Sequence, residues 1–289
     1  MHIKNLKYLL SLIISLYLLN KISKEIYINL SQLKVLKDEI NLLIFILTVF
    51  LPIFYFLTLK LIYLVNNFKK VGFYQAFQAT IIAYTYNLFL PAKSGDFFRH
   101  KYLDLEITFK KFFNINVVEK LISLFVLLIL VFLSYLSSDL DISKATNFNK
   151  LYISFIFILL LISTLYFINK FIKKENYLKS KIIKFLLFDI LIWSLQFLQM
   201  FLIIKILNIE LNIFETVFIF GISIISGLIP ISIGGFGVRD YVIFFLFTNF
   251  GLETNIFILL VLFNLRYLLP VLISFLFSIL HFLNGKSNS

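Results

Sequence analysis

Residues 73–99 read FYQAFQATIIAYTYNLFLPAKSGDFFR. The run from Phe73 to Leu90 is apolar but dotted with Gln75, Gln78, Thr80, Thr85 and Asn87. The segment after it, Pro91-Ala92-Lys93-Ser94-Gly95-Asp96, breaks any helix. Basic residues flank the run on both sides, Lys69 and Lys70 before it and Arg99 to Lys111 after it. An excess of Lys and Arg marks cytoplasmic loops. Both flanks lie on one side of a membrane only if 73–90 enters and returns, so the stretch reads as a re-entrant segment. Its polar side chains fit that reading, because they are costly against lipid.

The rest of the chain supplies the membrane context. Of its 289 residues 61% are hydrophobic, and the mean hydropathy is +0.97. Soluble domains have roughly 45–50% apolar residues. No polar stretch is long enough for a separate domain, so 1–289 is read as one polytopic membrane domain. Spans of about 20 apolar residues fall near Leu6–Leu19, Leu42–Val65, Ile115–Leu136, Leu151–Ile168, Phe185–Leu207 and Asn255–Phe282. The first has a basic start but no small-residue cleavage site after it, so it reads as uncleaved. Ile22 to Glu39 alternates charge with apolar residues and reads as an interfacial helix.

The most basic stretch, Lys170 to Lys184, reads as a cytoplasmic loop, which places the acidic loop at Asp139 outside. Phe214 to Phe250 then reads as a second re-entrant hairpin, with both termini cytoplasmic. The expected fold is an all-α integral membrane protein of about six full spans plus two re-entrant hairpins. Each half has the order span, span, hairpin, span. Residues 1–140 and 141–289 are therefore expected to form an inverted repeat, an arrangement common in transporters.

Several function classes are excluded by composition. There is no cysteine, hence no thiolate chemistry or disulfide framework. His2, His100 and His281 are far apart, with no metal-ligand spacing, so no metal is expected. The formal net charge of +12 comes from lysines lying between apolar runs. It suits anionic lipid headgroups rather than nucleic acid. No hydrolase elbow, P-loop or dinucleotide fingerprint is present, so neither a cofactor nor catalysis is expected.

The candidate site residues cluster at the two breaks. In the second, Gly234, Gly235 and Gly237 precede Arg239-Asp240 between apolar runs. Irregular backbone at membrane depth is tolerated only where it is buried in protein or lines a wet cavity. Free amides there can cradle an anion. In the first break, Asp96 and Arg99 are placed to meet a lipid phosphate or to be solvated in a basic loop. Glu119 and Lys120 pair with these charges or mark the start of a span. Arg266, deep in the last apolar run, calls for an acidic partner such as Asp240 or Glu119.

At these motifs the chain resembles the lysylphosphatidylglycerol synthase transmembrane family, a flippase-like membrane domain. The first motif is Asn87-Leu-Phe-Leu-Pro91-Ala-Lys-Ser-Gly95-Asp96-Phe-Phe-Arg99, followed by Glu119-Lys120. The second is Ile229-Pro230-Ile-Ser232-Ile-Gly234-Gly235-Phe-Gly237-Val238-Arg239-Asp240, followed by Arg266. The resemblance covers nearly the whole chain. It departs at Asp240, where the family usually has Glu, at Lys120, where it usually has Arg, and at Ser123, where it usually has an acid.

What the resemblance implies is movement of a phospholipid or lipid-linked glycan headgroup between leaflets of the cell membrane. Arg99 would guide it from inside and Arg239 from outside, through a cavity between the hairpins. The alternatives are an enzyme acting on a lipid headgroup or lipid-linked sugar, with Asp96 or Asp240 as base, and an accessory subunit of envelope polysaccharide assembly. Lysyl transfer, which the family's bifunctional members perform with a C-terminal soluble domain, is not expected of this chain. Expected partners are membrane lipids with anionic headgroups, and, among proteins, a second copy or envelope-synthesis components.

Overall fold

The computed structural model describes residues 44, 48–140, 150–173, 176–229, 237–252, 256, 258–266 and 271–274. Among them every regular element is helical. The elements are α1 (Phe50–Val65), α2 (Phe73–Phe89), a 3₁₀ helix (Pro91–Phe97) and α3 (Phe98–Tyr102). There follow α4 (Phe109–Ser137), α5 (Lys150–Ile172), a 3₁₀ helix (Asn176–Lys181), α6 (Ile182–Ile206), α7 (Ile213–Ser226) and α8 (Val238–Asn249). Further helical residues lie at 258–266 and 271–274. The first expected span and the interfacial helix fall outside the described residues.

Among the described residues three segments are long and apolar enough to cross a membrane: Phe109–Ser137, Lys150–Ile172 and Tyr177–Ile206. α4 starts earlier than the apolar run because Thr108 caps it, its hydroxyl accepting from the Lys111 amide at 3.4 Å. At ~1.5 Å per residue its 29 residues exceed the ~30 Å of a bilayer core. α5 presents Leu151, Phe155, Leu159, Ile162 and Tyr166 outward, the composition of a lipid-facing helix. α7 opens with a reciprocal cap: Asn212 Oδ1 accepts from the Glu215 amide at 2.9 Å, and Glu215 accepts from the Asn212 amide at 2.8 Å.

The basic stretch 170–184, read as a loop, is largely helical. α5 runs through Lys170 to Ile172, and the 3₁₀ turn leads directly into α6. Lys181 is not a solvated topology marker. It is buried, donates to the Tyr63 carbonyl at 2.6 Å, and lies over the rings of Tyr63 and Tyr177. A long apolar stem with an aromatic and carbonyl seat makes that burial tolerable.

The first hairpin has a definite mechanism of reversal. Leu90 is extended, at φ −99° and ψ 139°, as a residue before proline prefers to be. Pro91 then starts the 3₁₀ helix, where its missing N–H costs nothing. The motif read as breaking any helix thus ends α2 but continues as a tighter helix packed back along it. The expected polar signal is partly local. Thr80 and Thr85 donate to the carbonyls four residues earlier, at 2.8 and 3.0 Å, so their hydroxyls are satisfied within α2 itself. Gln78 instead accepts from the Tyr102 hydroxyl at 2.8 Å, and Asn87 reaches Asp96, so these two tie the limbs together. At the open end Lys69 donates to the carbonyls of Leu103 and Asp104, both at 3.0 Å. The beginning and the end of the hairpin therefore meet.

Gly95 sets how closely the limbs approach. A Cβ there would lie 2.5 Å from the Ala83 carbonyl oxygen and 2.6 Å from the Asn87 nitrogen, both backbone atoms. Close backbone contact through small residues is how helices associate in lipid, where apolar burial offers little drive. Gly95→Ala is expected to force the limbs apart at a cost of about 1–3 kcal/mol. Thermal unfolding in detergent reads this out; a variant melting with the wild type would contradict the packing.

A charged cavity between the hairpins as candidate functional site

The hairpins carry their arginines one short step past each break. Arg99 lies in α3 and Arg239 in the first turn of α8, and both are buried. They line the same cavity of about 120 Å³. Its wall also takes Asn87 and Asp96 from the first hairpin, Gly227 from the second, Lys60 from α1, Glu119 and Lys120 from α4, and Asp189 from α6. A second, mostly apolar cavity of about 300 Å³ adjoins it, sharing Asp96, Lys120, Ser123 and Trp193.

The charges are strung together in alternating sign. Lys60 Nζ binds both oxygens of Asp189, at 2.8 and 2.9 Å, and Glu119 Oε1 at 3.2 Å. Glu119 Oε2 lies 3.6 Å from Arg99 Nη1, an ion pair too long for a hydrogen bond. Arg99 Nη2 binds Asp96 Oδ1 at 2.8 Å, and Asp96 Oδ2 contacts Lys120. The sequence Asp189, Lys60, Glu119, Arg99, Asp96, Lys120 thus joins α6, α1, α4, α3 and the 3₁₀ helix. Every charge has an opposite neighbour, the condition for retaining ions in a low-dielectric interior. Glu119 lies about 15 Å along α4 at ~1.5 Å per residue, a third of the way along the helix.

The second hairpin adds its own polar knot. Gly237 has φ 85°, a left-handed conformation that glycine adopts without a Cβ clash. Its amide donates to Asp240 Oδ2 at 3.0 Å, so Asp240 caps its own helix. Asn264 bridges the pair, donating to Asp240 Oδ1 at 3.0 Å and accepting from Arg239 Nη2 at 2.6 Å. Of the partners expected for Arg266, Asp240 contacts Gly237, Asn264 and Arg239, and Glu119 contacts Lys60 and Arg99. Arg266 stacks on Phe263, 4.3 Å from the ring centroid, and Arg239 lies 4.5 Å from the same centroid.

The structure gathers Asn87, Asp96, Arg99, Glu119, Lys120 and Arg239 around one cavity, with Asp240 behind Arg239. Gly95 and Gly237 act through the backbone, and Pro91 begins the return limb. Pro230, Ser232, Gly234 and Gly235 lie outside the described residues. Ser123 has a role without an acid: its hydroxyl and carbonyl accept from Trp193 Nε1, at 3.2 and 3.1 Å, fixing the indole between the cavities.

Lys60, Asp189 and Asn264 were missed by the motif reading. The signal was present for the first two, each a charge inside an apolar run. Such a residue is a functional candidate by default. Among the described residues, no group of three His, Cys, Asp or Glu is placed to hold a metal ion.

These features define a polytopic helical membrane protein whose broken hairpin enclose, with the long helices, a cavity of paired charges. The chain matches the family model described as the lysylphosphatidylglycerol synthase TM region across residues 6–274, and it belongs to that family. A search of curated proteins gave no match. The family supports a membrane protein concerned with lipid modification or transport.

Proposed function

We propose that this protein moves a lipid with an anionic headgroup between the leaflets of the cell membrane. The observation that carries the reading is the shared cavity. Arg99 and Arg239, one from each hairpin, face it together with Lys60 and Lys120. Arginine binds phosphate oxygens bidentately, and a desolvated cavity strengthens the contact. The adjoining apolar cavity suits the first methylenes of the lipid's tails. Both hairpins are re-entrant in this proposal, and the two halves form the inverted repeat, so that each arginine serves one side. Anionic lipids are the partners, and both chain termini are cytoplasmic.

The decisive experiment places the purified protein in liposomes with short-chain fluorescent phosphatidylglycerol and measures exchange by albumin extraction. Protein-dependent exchange is the expected result. A chemically altered lipid in place of exchange would instead support the headgroup-modifying enzyme. The topology has its own check, made simple by the absence of cysteine. Single cysteines near Lys69 and in the 170–184 stretch are expected to resist an external thiol reagent, while one at Asp139 reacts. Labelling at Lys69 with none at Asp139 would overturn the re-entrant topology.

A further inference from the structure

The seat between Arg99 and Lys120 is already filled by an anion of the protein itself. Asp96 bridges the two cations through its two oxygens. A phosphodiester approaching Arg99 must compete with that carboxylate. Two buried atoms at the same place are set up for the exchange. Arg99 Nε and Asn87 Oδ1 have no hydrogen-bond partner among the described residues. The first is a donor for an incoming phosphate oxygen. The second is an acceptor beside Asp96, whose Oδ1 already takes a bond from Asn87 Nδ2 at 3.2 Å. An amide can serve a carboxylate with its N–H and a carboxylic acid with its oxygen.

We propose that passage of the lipid is coupled to a proton carried on Asp96, an inference that rests on the transport reading above. When the headgroup phosphate takes Arg99 and Lys120, the displaced carboxylate loses both cations and faces a new negative charge. It then binds one proton, and the acid O–H donates to Asn87 Oδ1. The phosphodiester's single negative charge and the proton's positive charge cancel. The loaded cavity therefore has the same net charge as the empty one, which a low-dielectric interior favours. On the far side the phosphate leaves, the carboxylate regains its two cations, and the proton is released with the lipid. One proton moves per lipid in the same direction, with no net charge.

The surroundings keep this exchange local to Asp96. Glu119 faces Asp96 from α4 but is held by Lys60 as well as Arg99. Asp189 on α6 keeps both oxygens on Lys60. Tyr84 on α2 and Arg239 on α8 complete the titratable and charged groups around the cavity among the described residues. Of the acids among the described residues, Asp96 alone forms an ion pair with Lys120, whose side chain is 43% exposed, and so can be released as that side chain swings toward a headgroup.

The test uses the same liposomes with equal pH on both sides. Exchange by the wild type is expected to rise several-fold from pH 8 to pH 6, bounded by about tenfold per pH unit for one linked proton. An imposed pH gradient is expected to drive lipid toward the alkaline side, and a membrane potential to have no effect. Asp96→Asn is expected to flatten the pH dependence and abolish the proton flux reported by a lumenal dye; Asp96→Glu should retain both. Should Asp96→Asn not fold, proton uptake by the wild type on adding phosphatidylglycerol in weakly buffered detergent decides, with one proton per lipid expected and none overturning the coupling. Exchange that ignores pH, or an Asp96→Asn protein with the wild-type pH dependence, overturns the coupling but leaves transport standing. Absence of exchange at every pH overturns both.

Discussion

Lys60→Met is expected to destabilise the fold by about 3–5 kcal/mol, the usual cost of removing one partner from a buried ion pair. Lys60 is 2% exposed and is the cation on which both Asp189 oxygens rest. Without it Asp189 keeps no cation in the chain of charges, and Glu119 keeps only the longer contact to Arg99. Methionine fills similar volume, so a cavity does not explain the loss. The double variant Lys60→Met with Asp189→Leu removes both charges and is expected to recover much of the stability. Thermal unfolding in detergent measures both. A single variant as stable as the wild type would show that Asp189 is not ionised against Lys60.

Arg99→Ala and Arg239→Ala are each expected to lower leaflet exchange at least tenfold while leaving the fold largely intact. A charge-assisted hydrogen bond contributes about 1.5–3 kcal/mol, which corresponds to ~10–100-fold. The neighbours of each arginine remain paired without it. Asp96 keeps Lys120 and Asn87, Glu119 keeps Lys60, and Asp240 keeps the Gly237 amide and Asn264. Lysine at either position keeps the charge but loses the planar fork, so exchange is expected to fall between wild type and alanine. At position 239 the bond to Asn264 adds a further requirement that lysine meets poorly. Both alanine variants exchanging lipid at the wild-type rate would remove the shared cavity from the transport path. Asp240→Glu can still reach the Gly237 amide from the first turn, whereas Asp240→Asn removes the negative charge beside Arg239.

Much of the helical layout was legible because it is written in local, one-dimensional terms. An apolar run of the right length has no other stable form in lipid, since its backbone must satisfy itself. The spans expected at Ile115–Leu136, Leu151–Ile168 and Phe185–Leu207 therefore recur as α4, α5 and α6, shifted at their ends by caps such as Thr108. The first break was legible for the same reason: proline acts on its own backbone, and Leu90 before Pro91 is extended. Family membership also lay in the two motifs, and the match across residues 6–274 upholds it.

What the sequence could not determine is which charge meets which. Asp189 and Lys60 are 129 positions apart, and nothing along the chain indicates that α1 and α6 bring them to 2.8 Å. Nor does the sequence indicate that Arg239 and Arg266 flank one ring, that of Phe263. The basic stretch 170–184 reads as a cytoplasmic loop, yet Lys181 is buried against α1 through the Tyr63 carbonyl. Helix formation is decided by neighbours three and four residues away. Ion pairing in a low-dielectric interior is decided by distances of a few ångströms between elements, where a change of ~4 Å alters an interaction several-fold. The sequence by itself determined a helical membrane protein of this family, with a helix that ends at Pro91 and an arginine shortly after. Only the tertiary structure decided that Arg99 and Arg239 face one cavity, and that Asp96 occupies the anion's place between Arg99 and Lys120.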